Sequence, residues 1–101
     1  MTILVVLFNL KAGVDRAQYE QWARTTDLPI VSGLPSVESF EVLRTSGVLG
    51  SGEAPYQYVE ILRVKELAGL RQDVASETMR RVAAEFRQFA DAPVFMISDA
   101  I

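Results

Sequence analysis

The segment Thr2–Leu10 restricts the possible folds of this chain more than any other. It is rich in β-branched residues and is apolar at every position from 3 to 8, with Asn9 as the first interruption. Successive side chains of a strand point to opposite faces of its sheet, so this run predicts a strand that is covered on both faces. The fold must therefore supply a covering layer for each face.

A first helix is predicted to begin after Asp15, because Gln18 follows three residues later as in a capping box. One face of this helix is apolar and aromatic at the spacing i, i+3, i+4 and i+7, and consists of Tyr19, Trp22, Ala23 and Thr26. Pro29 lacks an amide donor and disfavours helical angles at Leu28. We therefore expect the helix to break after Asp27.

The second half of the chain predicts two strands, a helical region and a last strand. Residues 36–44 and 56–64 alternate as strands on either side of a glycine-containing loop, 45–55. In the first of them, strict alternation places Val37 on the face opposite Phe40 and Val42. A helical region covers about 66–90, with Ser76 restarting it as an N-cap. Pro93 is expected to close it, and residues 94–97 form strand four.

The element order β-α-β-β-α-β indicates an α+β, ferredoxin-like domain spanning residues 1–101. Right-handed crossovers give a four-stranded antiparallel sheet of order 4-1-3-2 with both helices on one face. The other face would expose more apolar surface than a monomer usually tolerates. We therefore expect a homodimer in which two sheets face each other as an eight-stranded α+β barrel.

Composition excludes several functional classes. The net charge of −3 and the short apolar runs argue against nucleic-acid and membrane partners, and we expect a cytoplasmic protein. The chain has no cysteine and no histidine, which removes thiolate and imidazole catalysis and the usual ligands of zinc, copper and haem iron. We therefore expect no metal and no cofactor.

Three segments carry a resemblance to a known family. They are VVLFNLKAGV at residues 5–14, YEQWARTTDLPIVSGLPSVESFEVLR at residues 19–44, and YVE at residues 58–60, and WARTTDLP at residues 22–29 is the most specific part. The chain resembles the RedY-like proteins, a branch of the dimeric α+β barrel superfamily. This resemblance implies a role beside bacterial prodiginine, indole and carbazole alkaloid pathways. Some similar members are cofactor-free cyclases that close an aromatic ring on an unstable acyl-indole intermediate.

Asp27 is the first candidate catalytic residue. It lies where the first helix is expected to break, near the end of the face that carries Trp22 and Thr26. A carboxyl group that is desolvated between helix and sheet would exchange protons near neutral pH. The alternative is that Asp27 caps a short turn beginning at Leu28.

Glu60 is the second candidate, because it alternates with Tyr58 in a strand expected at the centre of the sheet. Its burial requires a partner, which Asn9, Arg44 or Arg24 could provide. The alternative is a structural glutamate in a salt bridge or at a dimer interface.

Asn9 is the third candidate, since it ends an apolar strand and could hydrogen-bond a substrate carbonyl or an enolate-like oxygen. An asparagine in this place could equally bond the backbone of the turn at residues 11–12.

A flat aromatic substrate would suit the aromatic side chains of this chain, although each of them could equally belong to the core. Arg24, beside Asp27, could bind a substrate carboxylate through its guanidinium fork. The substrate-binding candidates are Tyr19, Trp22, Arg24, Thr26, Phe40, Tyr58, Phe86, Phe89 and Phe95.

The hypothesis from sequence is a cofactor-independent cyclase of bacterial secondary metabolism that binds an indole- or pyrrole-derived intermediate. Three alternatives stay open: a cofactor-free monooxygenase, a non-catalytic carrier of a labile intermediate, and a purely structural dimer.

Overall fold

The computed structural model describes residues 1–101 and contains four strands that form one antiparallel sheet. The strands are β1 (Thr2–Leu10), β2 (Val37–Arg44), β3 (Tyr58–Val64) and β4 (Ala90–Asp99), and the helices are α1 (Arg16–Trp22), α2 (Leu28–Ser32), α3 (Leu67–Val74) and α4 (Glu77–Phe89). The sheet order β2-β3-β1-β4 is the predicted 4-1-3-2 counted from the other edge. The predicted ferredoxin-like α+β fold is confirmed.

The helices pack on one face of the sheet, and the hydrophobic core lies between the helices and the sheet. One part of the core gathers around the aromatic rings of Phe8, Tyr19, Tyr58 and Phe86. The other part is aliphatic and lies around Val31, Leu62, Val64, Leu70 and Val82. None of the helices is long and apolar enough to cross a membrane.

The expected break after Asp27 is wrong. Asp15 caps α1 as predicted, its carboxylate accepting from the Ala17 amide at 3.1 Å. The chain then passes through a π-helical turn at Ala23–Asp27 directly into α2. Leu28 is helical, with φ −58° and ψ −50°, and its amide bonds to the carbonyl of Ala23, five residues back. The wider turn accommodates Pro29, which has no amide to donate, without ending the helix.

Strand β2 departs from strict alternation. Val37 pairs with Val64, but Ser39 pairs with Arg63, so an extra residue bulges out between them. The bulge brings Val37 into the aliphatic core, against which Phe40 also packs. The expected placement of Val37 and Phe40 on opposite faces is therefore wrong.

Strand β4 begins earlier than expected. Helix α4 ends at Phe89 and β4 starts at Ala90, so Pro93 lies inside the strand instead of closing the helix. The pairing with β1 is irregular here, and Ala92 has a φ of +43°. Because β4 is an edge strand, a residue without an amide hydrogen is tolerated at this bulge.

Helix α3 docks on the turn before β2. The Asp73 carboxylate accepts hydrogen bonds from the Ser36 amide at 2.9 Å and from the Ser36 hydroxyl at 2.5 Å. Gly69, one turn earlier, lets the helix approach closely, since a Cβ there would lie 3.2 Å from that of Ser36. Ser76 then caps α4 as predicted, accepting from the Met79 amide at 3.2 Å.

The face of the sheet opposite the helices carries an apolar patch at its centre and has no covering layer in the single chain. Val5 of β1 stands between Ile61 of β3 and Met96 of β4 on this face. Ile3 and Leu7 extend the patch along β1, where each side chain is only half-buried. Strand β1 is therefore apolar on both faces, as the segment Thr2–Leu10 predicts.

Candidate active site

A cavity of about 480 Å³ lies between the sheet and the helices. Of its 18 lining residues, 13 are apolar, and they are Leu4, Val6, Val31, Leu34, Phe40, Leu62, Leu70, Val74, Met79, Val82, Ala83, Phe86 and Phe95. The other five are charged: Asp27, Glu60, Arg71, Arg80 and Arg87. The cavity therefore combines an apolar wall with a small set of ionisable groups.

The π-helical turn accounts for the position of Asp27. The buried residues of this helical segment, Tyr19, Ala23, Asp27 and Val31, are spaced by four. In a regular α-helix each step of four drifts by about 40° around the axis, and the wider turn offsets part of this drift. Asp27 therefore stays on the buried side, at 5% exposure, and forms no capping bond to α2. The capping alternative does not describe its side chain.

Glu60 reaches the cavity from the centre of the sheet. It lies on β3 between Val6 and Val42, and its side chain shares the helix-facing side with Tyr58 and Leu62. It is 6% exposed, and its Oε2 has no hydrogen-bond partner.

The expected partners of Glu60 bond elsewhere. Arg24 and Arg44 both form ion pairs with Glu20, and Glu60 takes part in none of the chain's three ion pairs. Because Glu60 points towards the helices, it is not on the bare face where a second sheet would pack. Neither the salt-bridge nor the dimer-interface alternative fits this placement.

Burial changes the protonation of both acids. Removal from water raises the pKa of Asp27 from 3.8 to about 7. Burial, and then the negative charge of Asp27, raises the pKa of Glu60 from 4.5 to about 8. The two groups are therefore close enough to influence each other and titrate as a coupled pair. Near neutral pH the pair therefore keeps a proton that neither carboxyl would keep in water.

A third ionisable group stands beside this pair. The Tyr19 hydroxyl is buried without a hydrogen-bond partner. Burial, followed by the charges of Glu60 and Asp27, raises the Tyr19 pKa far above its usual value, so the phenol stays protonated. Unsatisfied buried polar groups are rare in folded proteins, and the one that lines this cavity, Glu60 Oε2, indicates a place where a ligand supplies the missing partner.

Three of the predicted aromatic residues line the cavity. Phe40 comes from β2, Phe86 from α4 and Phe95 from β4. The rings of Phe86 and Phe95 are 6.4 Å apart and nearly perpendicular. They offer faces and edges against which a flat ring system can pack.

Four other predicted residues belong to the surrounding protein instead. Tyr19, Trp22 and Phe89 pack on one another in or against the aromatic core. The Trp22 indole nitrogen donates to Glu85 at 2.7 Å. Thr26 is half-buried and is not among the residues that line the cavity.

Arg24 and Tyr58 line a second, smaller cleft of about 330 Å³ centred on Glu20. Arg44 donates to Glu20 through Nε at 2.7 Å, and the Tyr58 hydroxyl donates to it at 2.8 Å. These contacts, chiefly the bond from Arg44, lower the pKa of Glu20 to about 2. Burial and the bond to Glu20 raise the pKa of Tyr58 to about 12. The network is satisfied internally and is separate from Asp27 and Glu60.

Asn9 lies away from the cavity. Its amide donates to the carbonyl of Pro55 at 3.1 Å and accepts from the amide of Gln57 at 2.9 Å. It therefore ties the end of the loop between β2 and β3 to β1. The backbone that Asn9 bonds is that of this loop and not that of the turn at residues 11–12.

The sequence interpretation missed Arg71, Arg80 and Arg87 as cavity residues. The one available signal is the spacing on α4, where Arg80, Ala83 and Arg87 recur at i, i+3 and i+7 on one helix face. No group of three or more histidine, cysteine, aspartate or glutamate side chains is arranged to hold a metal ion.

Comparison with known proteins places the chain in a family. The family model described as REDY-like protein HapK matches residues 2–101. The crystal structure of HapK from Hahella chejuensis superimposes with a TM-score of 0.83 at 25% identity, covering 100% of this chain and 93% of that one. No curated protein matches the chain.

Two more distant structures share the fold. SnoaB from Streptomyces nogalater, a cofactor-independent oxygenase, has a TM-score of 0.79 at 16% identity, covering 99% of this chain and 92% of its own. A dimeric ferredoxin-like protein of unknown function from Thermobifida fusca has a TM-score of 0.78 at 17% identity, covering 98% and 90%. At these identities the likeness is one of fold.

Proposed function

The chain belongs to the REDY-like HapK family, and on this premise we propose that it is a cofactor-independent cyclase. Its substrate would be a reactive indole- or pyrrole-derived intermediate on which it closes an aromatic ring. The observation that carries the proposal is the pair of buried acids, Asp27 and Glu60, which lack protein partners inside an apolar cavity.

The cavity suits such a substrate in size and character. Its volume of about 480 Å³ lies in the usual range for small-molecule sites. Its apolar walls and the rings of Phe40, Phe86 and Phe95 favour a flat aromatic body. Confining a flexible intermediate so that its two reacting carbons meet can lower a barrier by several kcal/mol.

The acid pair supplies the proton transfers that ring closure needs. A carbon nucleophile attacks the substrate carbonyl and a carbon–carbon bond forms. Asp27 as carboxylate takes the proton of the attacking carbon, while Glu60 as neutral acid donates a proton to the carbonyl oxygen. The resulting hydroxyl leaves as water with the proton now on Asp27, and the carboxylate of Glu60 takes a proton from the adjacent carbon. The ring becomes aromatic and both acids return to their starting state.

We further propose that the protein works as a homodimer. Val5, Ile61 and Met96 form an apolar patch on the uncovered sheet face, and a second copy of the same face would cover it. The dimeric fold relative from Thermobifida fusca supports this assembly. Because the cavity opens on the helix side of the sheet, each chain would keep its own site.

A cofactor-free oxygenase is the second candidate, supported by the fold shared with SnoaB. In that reaction an electron-rich substrate anion would itself react with dioxygen. A carrier that only shelters the intermediate is the third.

One experiment separates these functions. The purified protein is incubated with a reactive acyl-indole, with and without dioxygen, and products are followed by mass spectrometry against a protein-free control. A dehydrated ring-closed product that forms equally fast without dioxygen supports the cyclase. A product that gains oxygen atoms and requires dioxygen supports the oxygenase, and unchanged substrate recovered from the protein supports the carrier.

A further inference from the structure

We propose that Arg71, Arg80 and Arg87 form an anion-binding rim at the opening of the cavity, and that the substrate carries a carboxylate or similar anionic group. This inference rests on the proposed function and specifies the substrate class of the same site.

The three arginines occupy the opening. Each of them lines the cavity and is also exposed to solvent, which is possible only where the cavity meets the surface. Arg80 and Arg87 are seven residues apart on one face of α4, and the small side chain of Ala83 between them leaves room for a ligand. Arg71 reaches the same opening from α3.

These guanidinium groups have no partner within the chain. The three ion pairs of the protein use Arg24, Arg44 and Arg63. Arg71, Arg80 and Arg87 take part in none of the hydrogen bonds between side chains. A cluster of unpaired cations is notable in a chain of net charge −3, and the planar fork of arginine matches a carboxylate.

The charges also fix the orientation of the ligand. An anionic group is disfavoured beside Asp27 and Glu60 at the apolar inner wall and favoured at the arginine rim. The anionic end of the substrate would therefore stay at the opening, and its uncharged ring would lie inside beside the acids. Arg24, the sequence-based candidate for this contact, is instead engaged with Glu20 in the other cleft.

Two probes of nearly the same shape, one anionic and one uncharged, test the inference. They are 4-(indol-3-yl)butanoate and its primary amide, with binding measured by isothermal titration calorimetry at low and high salt. We expect the carboxylate to bind about tenfold more tightly than the amide at low salt, the size expected for charge-assisted contacts at a half-exposed site. Added salt should reduce this preference.

Matched variants locate the effect. In the double variant Arg80→Gln/Arg87→Gln we expect the preference to fall to about twofold or less, while affinity for the amide stays unchanged. Arg81→Gln is the control, because Arg81 is an exposed neighbour on α4 that does not line the cavity. It should keep the full preference. Both changes are on the surface, so the melting temperature should confirm that the fold persists.

The possible failures are distinguishable. Equal binding of the two probes, or a preference that survives the double variant, would overturn the arginine rim and leave the cavity's proposed function standing. If neither probe binds, the rim and the proposed function fall together.

Discussion

Asp27 and Glu60 are buried and form no ion pair, and the Glu60 Oε2 has no hydrogen-bond partner, an arrangement that opposes folding whenever either group is charged. A sequence selected for stability alone would place apolar side chains at these positions. Pairs of acids whose surroundings keep a proton near neutral pH are instead characteristic of catalytic sites. Among the single residues of the cavity, these two carboxyls are therefore the ones from which we expect catalysis.

Removing either carboxyl should abolish most of the proposed ring-closing activity. We expect Asp27→Asn and Glu60→Gln each to lower kcat by about 10²- to 10⁴-fold, the usual contribution of general acid–base catalysis. Steady-state rates measured by chromatography would test this. Glu38→Gln, at an exposed position of β2, serves as the control and should retain the activity of the unmodified chain. Wild-type rates in both site variants would remove the acids from the mechanism.

The same substitutions should change how stability depends on pH. The pKa values of Asp27 and Glu60 rise from 3.8 and 4.5 to about 7 and 8 in the folded protein. At pH values between the unfolded-state pKa and the folded-state pKa of each group, the folded state holds more protons than the unfolded state. The free energy of unfolding therefore falls as pH rises. The loss should be of the order of 4 kcal/mol for a full shift of one group.

Urea unfolding at pH 5 and pH 8 would measure this slope. The unmodified chain should lose stability over the interval, and each variant should lose less because one titrating group is gone. Glu20, whose pKa is lowered to about 2, acts in the opposite direction and only at more acidic pH. Identical slopes in all three proteins would show that the carboxyls titrate normally.

Both acids could be named as candidates from the sequence because their signals are local. Glu60 follows from the alternation of β3, and Asp27 from its place on the buried face of a helix before a proline. The rim arginines could not be predicted from the sequence, because all exposed arginines on two helices have the same local signal. Only the docking of α3 and α4 shows which of them border a cavity. Asn9 was predicted as a site residue because the sequence does not show that the loop between β2 and β3 folds back and bonds its side chain.

At the scale of elements, helix α3 forms part of the cavity wall through Leu70 and Val74 and is short, so its docking decides the shape of the site. The Asp73 carboxylate holds it to Ser36 through two hydrogen bonds. We expect Asp73→Ala to lower the free energy of unfolding by about 1.5–3 kcal/mol, since the bonds are to a charged group and leave the Ser36 amide unpaired.

Chemical denaturation would measure this loss, and Gln72→Ala is the matched control on the exposed side of the same helix. The control should change stability by less than about 0.5 kcal/mol. An equally small effect for Asp73→Ala would mean that apolar contacts alone dock the helix.

Strands and helix starts could be predicted because their signals are local, as Asp15 and Ser76 illustrate. The errors arose where a neighbour decides the conformation. The bulge near Val37 depends on the pairing with β3, and the one near Pro93 depends on β1. Pro29 was expected to end a helix, but the π-helical turn before it lets the helix continue. The same turn keeps Asp27 on the buried face.

At the scale of the whole molecule, the sheet has one covered face and one bare face. The bare face predicts that the chain forms a homodimer in solution, which light scattering coupled to size-exclusion chromatography would detect. Val5→Glu would place a charge at the centre of that face, and we expect it to give a folded monomer. Val48→Glu, in the exposed loop, should remain dimeric. A monomeric unmodified chain would contradict the barrel assembly.

A titration of the two carboxyl groups by nuclear magnetic resonance would show directly whether Asp27 and Glu60 keep a proton near neutral pH. The protein would carry ¹³C-labelled aspartate and glutamate, and Asp27→Asn and Glu60→Gln would assign the two signals. We expect coupled transitions near pH 7 and pH 8, with the Glu60 transition moving to lower pH when Asp27 is neutralised. Transitions of both groups near pH 4 would show that the acids are solvated and ionised, and would contradict the proposed acid–base pair.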